Sequence, residues 1–246
     1  MSRLVVLQHL DREGPGLFVR IAVERGFTVS NIRLDLGDCL PELRKDDLLL
    51  VLGGSMGIKD IGDPNFLWLN KEVDLIKEAL NQKIGIIGVC LGAQLLAYSV
   101  GGDVEVLEEE ISCEPMAEIG WHPVFSNINE NNNRIKQLLD KPFPVLHWHG
   151  DRILLPPSAD LIASSNRCKE QLFQIGPSAY GVQFHAEIES EMFNRWIEED
   201  KKFIKSAMGH NGISILKKQQ KEYGKKTKKA RLEFLNILID MVTKEN

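Results

Sequence analysis

Four short runs of apolar residues, each leading into a polar or helix-like stretch, dominate the first 90 positions of the chain. A strand that is apolar along its whole length is buried on both faces, which is typical of a parallel sheet covered by helices on both sides. Residues with helical spacing follow at 16–25 and 67–81. We therefore predict an α/β fold with a three-layer, flavodoxin-like, mainly parallel sheet flanked by helices. The apolar runs cover residues 4–8, 28–34, 47–52 and 84–89.

The second half of the chain has shorter apolar runs, which predict a smaller antiparallel or mixed sheet. A helical pattern begins at residue 189, with breaks near 209–212 and at Gly224. We predict a main domain over residues 1–200 and a helical C-terminal extension over 201–246. The helix expected at 227–242 has a broad apolar face, so it should pack on the domain or on a partner. The short strands are expected at 104–107, 116–119, 145–147, 161–163, 172–175 and 179–184, and an Asn-rich loop at 127–133 should precede a helix at 134–139.

Composition excludes several classes of function. The net charge is −5, and the basic run at 217–229 also carries acids, so we interpret it as a solvated helix face and expect no nucleic acid partner. The four cysteines form no CxxC pair, which argues against a zinc site or a disulfide framework. No segment approaches 18 apolar residues and the start lacks a secretory pattern, so we expect no membrane contact and a cytoplasmic protein.

The strongest chemical signal is the sequence Gly-Val-Cys-Leu-Gly-Ala-Gln at residues 88–94. A strand leads into Cys90, a helix leaves it, and glycines stand two positions before and after. This pattern is typical of a nucleophile elbow, in which the tight turn lifts the side chain out of the sheet. A helix N-terminus favours a thiolate, and the N–H of Leu91 would face a developing oxyanion. The alternative is that Cys90 is a buried, inert core residue.

A thiol nucleophile needs a base, and His185 is the best candidate. Glu187 follows two residues later, so in extended backbone both side chains project to the same side and the acid could orient the base. A surface His-x-Glu pair is the alternative. His147 and His149 also share a strand face and could suggest a metal, but no third ligand with fitting spacing accompanies them. We therefore predict no metal and no cofactor.

A glycine-rich segment, Gly-Gly-Ser-Met-Gly at residues 53–57, follows the third strand. Such a strand end can turn backbone N–H groups toward a negative atom, and Gly54 is then the second oxyanion donor. A phosphate-binding loop is excluded, because no Gly-Lys-Ser/Thr follows. A plain turn is the remaining alternative.

Together these motifs resemble the class I, or triad, glutamine amidotransferases, and within them domains similar to the glutaminase part of GMP synthase. The resemblance covers about residues 45–190. Residues 88–94 resemble the nucleophile motif of the family, and Gln-Phe-His-Ala-Glu at 183–187 resembles its His-Pro-Glu motif. Ala186 departs from the usual proline, so the geometry between base and acid could be less rigid.

The resemblance implies a role for each matching position. Cys90 would be the nucleophile, His185 the base and Glu187 the orienting acid, with oxyanion donors at Gly54 and Leu91. Further residues are implied to bind glutamine, with a looser match for the last three. They are Gln94, His149, Gly150 and Asp151.

Three functions stay open from the sequence. The first is a glutaminase or amidotransferase that releases ammonia, alone or to a separate synthetase, since the chain has no Ser-Gly-Gly-x-Asp-Ser pyrophosphatase loop. The second is a γ-glutamyl hydrolase or peptidase that releases an amine from a γ-glutamyl conjugate. The third is a non-catalytic binding or regulatory relative. A synthetase partner would be expected to contact the apolar C-terminal helix.

Overall fold

The structure is a computed structural model that describes residues 2–129 and 133–243. Its strands are β1 (Arg3–Gln8), β2 (Thr28–Arg33), β3 (Leu48–Val51), β4 (Gly85–Val89), β5 (Asp103–Val106), β6 (Glu118–Ser126), β7 (Phe143–His149), β8 (Asp151–Leu154), β9 (Ala159–Ser164), β10 (Leu172–Ile175) and β11 (Ala179–Val182). Its α-helices are α1 (Leu17–Glu24), α2 (Trp68–Asn81), α3 (Leu91–Ser99), α4 (Arg134–Leu139), α5 (Ser190–Glu199), α6 (Lys201–Met208), α7 (Gly212–Gln219) and α8 (Lys228–Thr243).

The predicted parallel sheet is confirmed. Its strands lie in the order β2-β1-β3-β4-β11, and each neighbouring pair is parallel. This is the flavodoxin-like order, with β11 in the position of the fifth strand. Within β1, Leu4 and Val6 pack in one apolar core while Val5 and Leu7 pack in the other. Because successive side chains point to opposite faces, both faces are covered and three layers result.

Helices on the two opposite faces of the sheet form the outer layers. Helices α1 and α8 pack in the core on one face, and α2 and α3 pack in the core on the other. The apolar spacing that predicted helices at 16–25 and 67–81 therefore marks the faces that α1 and α2 turn to the sheet.

The predicted smaller antiparallel sheet is confirmed, and the other short strands extend the large sheet. The same sheet continues antiparallel from β11 through β10, β9, β6 and β7, and only β5 and β8 form a separate two-stranded sheet. Strand β6 runs beyond the predicted end at residue 119. It contains Pro123, which has no backbone N–H to donate, but Pro123 faces Pro144 of β7, so the two strands lose their N–H donors at the same position and stay paired on either side of it. Strand β8 was not predicted, since a single residue, Gly150, separates it from β7.

The predicted helix after the Asn-rich loop is present as α4. Residues 130–132 of that loop lie outside the described residues. The side chain of Asn133 accepts hydrogen bonds from the backbone N–H groups of Ile135 and Lys136, so it caps the helix.

The chain beyond residue 200 packs on the rest of the protein. Helix α8 turns Phe234, Leu238 and Val242 into the core beneath the sheet, and all three are buried. Helices α5 to α7 cover β6 and β7 around Trp148 and Trp196. The apolar face of α8 is therefore covered by the domain, one of the two expected arrangements, and a synthetase contact at this helix stays a prediction. The division at residue 200 stays a prediction. Within the described residues no helix has the length and apolarity needed to cross a lipid bilayer.

Candidate active site

The candidate residues meet because four neighbouring strands run in parallel. The carboxyl ends of β1, β3, β4 and β11 lie side by side in the sheet. The residues that follow these ends are His9, Gly53, Cys90 and His185. In an open α/β sheet this edge is where ligands bind.

Cys90 occupies a strained turn between β4 and α3. Its φ of 52° and ψ of −107° lie in a region that residues other than glycine rarely adopt. A side chain at Gly88 would place its Cβ 2.8 Å from the backbone nitrogen of Ala93, and one at Gly92 would lie 2.9 Å from Val51 Cβ. Both positions therefore require glycine, because a larger residue would collide with neighbouring atoms. Cys90 N–H donates to Val182 O at 2.8 Å, which ties the elbow to β11.

His185 is held from three sides next to this cysteine. Its backbone N–H donates to Leu146 O of β7 at 2.8 Å, and Trp196 packs edge to face on its ring at 4.7 Å between centroids. Its Nδ1 lies 2.7 Å from Glu187 Oε1, and both side chains are buried. A Cβ added at Gly53 would lie 3.4 Å from His185 Cε1 and 3.5 Å from Cys90 Cβ, so the two side chains face the same small space. The structure therefore brings Cys90, His185 and Glu187 together in the order that nucleophilic catalysis needs.

The electrostatics of this trio favour a charged base. Burial disfavours the imidazolium, but the Glu187 carboxylate and Cys90 outweigh it and raise the pKa of His185 well above its ordinary value. Proton transfer from the thiol to His185 is therefore supported, and the imidazolium can later protonate a leaving group. Gln183 Nε2 lies 3.6 Å from Cys90 Sγ and offers the sulfur a further donor.

The backbone around Glu187 is held by Arg231 of α8. This buried guanidinium donates to Ala186 O at 2.8 Å and to Ile188 O at 2.7 Å. In addition, Leu17 N–H donates to Glu187 O at 3.0 Å. The rigidity that a proline at position 186 would bring is supplied here by hydrogen bonds to the carbonyls on both sides of the acid.

Two backbone N–H groups beside Cys90 lack an acceptor. Within the part of the chain that the structure describes, neither Gly54 N–H nor Leu91 N–H donates a hydrogen bond. A Cβ added at Gly54 would lie 2.9 Å from Leu91 Cδ2, so the two residues are in contact. Both line the same pocket as Cys90. Free N–H groups in this position can bind a developing oxyanion.

A pocket of about 260 Å³ opens over Cys90, which is a small volume for a ligand site. It includes all four positions that the family resemblance implied as substrate-binding. They are Gln94, His149, Gly150 and Asp151. Burial raises the pKa of the Asp151 carboxyl, against the opposing effect of Lys59.

Several pocket residues were not predicted from the sequence. Trp148 Nε1 donates to Asp200 Oδ2 at 2.8 Å, and Arg12 forms an ion pair with the same carboxylate. Trp196 and Phe203 complete this wall. They come from β7, α5, α6 and the loop after β1, and no sequence motif links these segments. The available signals in the sequence were the position of a residue after a predicted strand end or on a predicted amphipathic helix.

Glu13 is the most unusual of the missed residues. Its side chain lies on the pocket wall beside Gly53, and a Cβ at that glycine would collide with its carboxylate. Burial raises the pKa of Glu13, while His185 and Arg12 oppose the shift. Arg12 Nη2 is 3.6 Å from Glu13 Oε1. The pocket therefore contains a second carboxyl next to the base.

Behind the pocket, Glu118, His147 and His149 bring three possible metal-ligating atoms within 4.8 Å of one another. Gln171 Nε2 donates to Glu118 Oε2 at 2.8 Å and lies 3.4 Å from His149 Nε2, so hydrogen bonds already engage this carboxylate. Burial lowers the pKa of His147 to about 3, which keeps that ring neutral. The expectation that the protein binds no metal stays a prediction, which metal analysis of the purified protein would test.

Comparison with known proteins gives the same assignment as the geometry. A family model described as glutamine amidotransferase class-I matches residues 17–204. The chain belongs to the class I glutamine amidotransferase family. The prediction made from residues 88–94 and 183–187 is thereby confirmed at the level of the family.

Individual class I relatives agree in sequence and in fold. The chain is 28% identical over 214 residues to the glutamine amidotransferase-like protein YfeJ of Salmonella typhimurium, a match that covers 86% of each protein. It is 31% identical over 122 residues to one subunit of the glutamine-hydrolysing GMP synthase of Methanococcus aeolicus, covering 49% of this chain and 60% of that protein. The structure of a Thermotoga maritima glutamine amidotransferase superimposes with a TM-score of 0.80 at 26% identity and covers 99% of each chain.

Proposed function

We propose that this class I amidotransferase hydrolyses the side-chain amide of glutamine through a γ-glutamyl thioester on Cys90. The observation that carries the proposal is the placement of Cys90 in one small pocket with His185, whose ring is held by the buried Glu187 carboxylate. Family membership alone leaves the mechanism open, whereas this arrangement supports the roles of nucleophile for Cys90, base for His185 and orienting acid for Glu187.

The first half-reaction forms the thioester. The Cys90 thiolate attacks the amide carbon, and the carbonyl electron pair moves onto oxygen, where Gly54 N–H and Leu91 N–H donate to it. The intermediate then collapses, the C–N bond breaks, and the His185 imidazolium gives its proton to the departing ammonia. Each oxyanion donor contributes about 3–4 kcal/mol to lowering the barrier.

The second half-reaction releases glutamate. Neutral His185 takes a proton from water as the water attacks the thioester carbon, and the same two N–H groups stabilise the second tetrahedral intermediate. Collapse breaks the C–S bond and restores the thiolate beside the imidazolium. Glu187 accepts the hydrogen bond of Nδ1–H throughout, so that Nε2 serves as the proton carrier.

The ammonia would pass to an acceptor enzyme encoded separately. A relative that forms one part of a glutamine-hydrolysing GMP synthase built from separate subunits supports a two-chain arrangement. Helix α8 stays the expected contact for such a synthetase, although its apolar face is covered by the domain.

Hydrolysis of γ-glutamyl conjugates is a second candidate, and one observation favours it. The pocket extends past Cys90 and His185 to Trp196, Asp200 and Phe203, which gives a leaving group larger than ammonia a surface to contact. The chemistry on Cys90 would be the same, with an amine in place of ammonia.

The test compares ammonia release from glutamine with amine release from γ-glutamyl amides, using wild type and Cys90→Ala. Cys168→Ala is the matched control, because burial raises the pKa of that thiol to about 12 and makes it inert. We expect turnover of glutamine that Cys90→Ala abolishes and Cys168→Ala retains, with a glutamine-like diazo ketone labelling Cys90. Far faster cleavage of the γ-glutamyl amides would replace the first candidate by the second. Turnover that persists in Cys90→Ala would refute both.

A further inference from the structure

Another buried His–Glu pair, His9 and Glu72, lies behind the glycine-rich loop. His9 Nε2 is 2.9 Å from Glu72 Oε1, and the His9 Nδ1 is 3.0 Å from Gly53 O. His9 follows β1 and Glu72 belongs to α2, and both side chains are fully buried. The proposed reaction uses neither residue, although a buried charged pair is costly to form.

The contact with Gly53 O determines the direction of Gly54 N–H. The two groups belong to one peptide unit, and in a planar trans peptide the C=O and the N–H point in opposite directions. No cis peptide bond occurs among the described residues. Since His9 Nδ1–H binds the carbonyl on one side of the loop, Gly54 N–H must project to the other side, away from His9.

This peptide unit needs an external support. It lies between two glycines, whose missing side chains allow the backbone torsions on both sides a wide range. A larger residue would displace its neighbours, because a Cβ at Gly53 would meet the Glu13 carboxylate and one at Gly54 would lie 2.5 Å from Met56 Sδ. The loop therefore has the space to pass beside Cys90, but its own sequence does not select the orientation of the N–H.

A doubly protonated ring is the form of His9 that satisfies both acceptors. A neutral imidazole would turn one lone pair toward either the Gly53 carbonyl or the Glu72 carboxylate. Burial opposes the charge, but Glu72 outweighs it and raises the pKa of His9 above its ordinary value. With Nε2–H committed to Glu72, Nδ1–H stays available to Gly53 O.

We propose that His9, held by Glu72, is a positioning residue that keeps Gly54 N–H turned into the active-site pocket as an oxyanion donor. The inference rests on the proposed function, since an oxyanion forms only if Cys90 attacks a carbonyl. His9 itself does not touch the substrate. It acts through the peptide bond between Gly53 and Gly54, so its loss should lower kcat more than it raises KM.

Two substitutions at His9 separate positioning from simple packing. In His9→Asn the side-chain amide lies near the position of Nδ1 and can still donate to Gly53 O. In His9→Gln the amide reaches the position of Nε2, so it can meet Glu72 but leaves Gly53 O without its donor. Steady-state kinetics of both variants are measured with the better of glutamine and the γ-glutamyl amides, alongside thermal unfolding.

We expect His9→Gln to lower kcat by about 10- to 100-fold, below the 10²–10³ typical of deleting an oxyanion donor, with KM within about threefold. His9→Asn should recover most of that loss, even if the two variants unfold at similar temperatures. Glu72→Gln gives a further check that does not require His9→Gln to fold. Its amide can donate to Nε2 of a neutral His9 and leave Nδ1–H on Gly53 O, so kcat should stay within about fivefold despite lower stability.

The inference is overturned if the two His9 variants lose kcat equally, if the loss follows thermal stability across all three variants, or if it appears in KM alone. Failure of the proposed function is a separate result. In that case wild type itself shows no turnover that depends on Cys90, and the positioning role falls with it.

Discussion

Replacing Glu187 with glutamine removes the charge that orients the base while changing the shape of the site very little. Glu187 Oε1 accepts a 2.7 Å hydrogen bond from His185 Nδ1–H inside the buried trio. The amide of Glu187→Gln can still accept this bond through its oxygen, but without a charge. Its NH₂ group would then occupy the place of Oε2, which finds no hydrogen-bond partner among the described residues.

The size of the effect follows from these contacts. A hydrogen bond to a buried charged group contributes about 1.5–3 kcal/mol more than its absence, and each 1.36 kcal/mol in the barrier is tenfold in rate. The neutral amide keeps a hydrogen bond of about 0.5–1.5 kcal/mol, so loss of the charge alone removes about 1–1.5 kcal/mol and predicts a decrease in kcat/KM of about 5- to 13-fold. If the amide rotates to give its NH₂ group a partner, Nδ1 must become the acceptor, and Nε2 then carries a proton that blocks its role as base. That outcome makes the decrease larger.

The assay is ammonia release under substrate-limiting conditions, with thermal unfolding to verify the fold. Glu189→Gln is the matched control, since Glu189 lies two residues further on and forms only a half-exposed ion pair with Lys228 at 2.9 Å. We expect that control to stay within twofold of wild type. A folded Glu187→Gln protein with kcat/KM within threefold of wild type would refute the orienting role of the carboxylate.

Three further perturbations test the framework around the site. Gly88→Ala should destabilise the protein by more than about 3 kcal/mol in chemical denaturation, because its Cβ meets backbone atoms of the elbow. Gly57→Ala is the control and should change stability by less than about 1 kcal/mol, because a Cβ there meets nothing within 4 Å. Arg231→Met should lower the free energy of unfolding by about 2–4 kcal/mol and should also lower kcat, because it leaves the buried carbonyls beside Glu187 without donors. A stable and fully active variant would contradict this prediction. Burial lowers the pKa of His147 to about 3, so between about pH 6.5 and 3 the unfolded chain binds a proton that the folded chain does not, and the free energy of unfolding should fall as the pH drops. His147→Gln should lessen that slope by up to about 1.4 kcal/mol per pH unit in urea titrations. An unchanged slope would show that the ring is not the group responsible.

The parallel sheet could be predicted from the sequence because its signal is local. Strands β1, β3 and β4 are apolar on both faces, and this pattern holds only where helices cover both sides of a sheet. The antiparallel half was harder to outline. Its strands are short, two of them contain a proline, and a single residue separates β7 from β8, so composition alone did not mark their ends.

The catalytic trio was predictable for a related reason. The two glycines around Cys90 are required by contacts within the turn, since a Cβ at Gly88 meets the backbone of the helix that follows. His185 and Glu187 are two residues apart in the segment that follows β11. Each half of the site is thus specified by residues adjacent in sequence, although their meeting depends on β4 and β11 being neighbours in the sheet.

The supporting residues were decided by the tertiary structure alone. His9 reaches Glu72 across 63 positions, and Arg231 reaches the carbonyl of Ala186 across 45. Glu13 became notable only when the fold enclosed it beside the base. The sequence does not show whether a charged residue is solvated or buried. Its role depends on which distant segment of the chain excludes water from it. Periodicity and motifs describe near neighbours along the chain, so they predicted Cys90 and His185 as candidate nucleophile and base, while the fold determined what holds these groups in position.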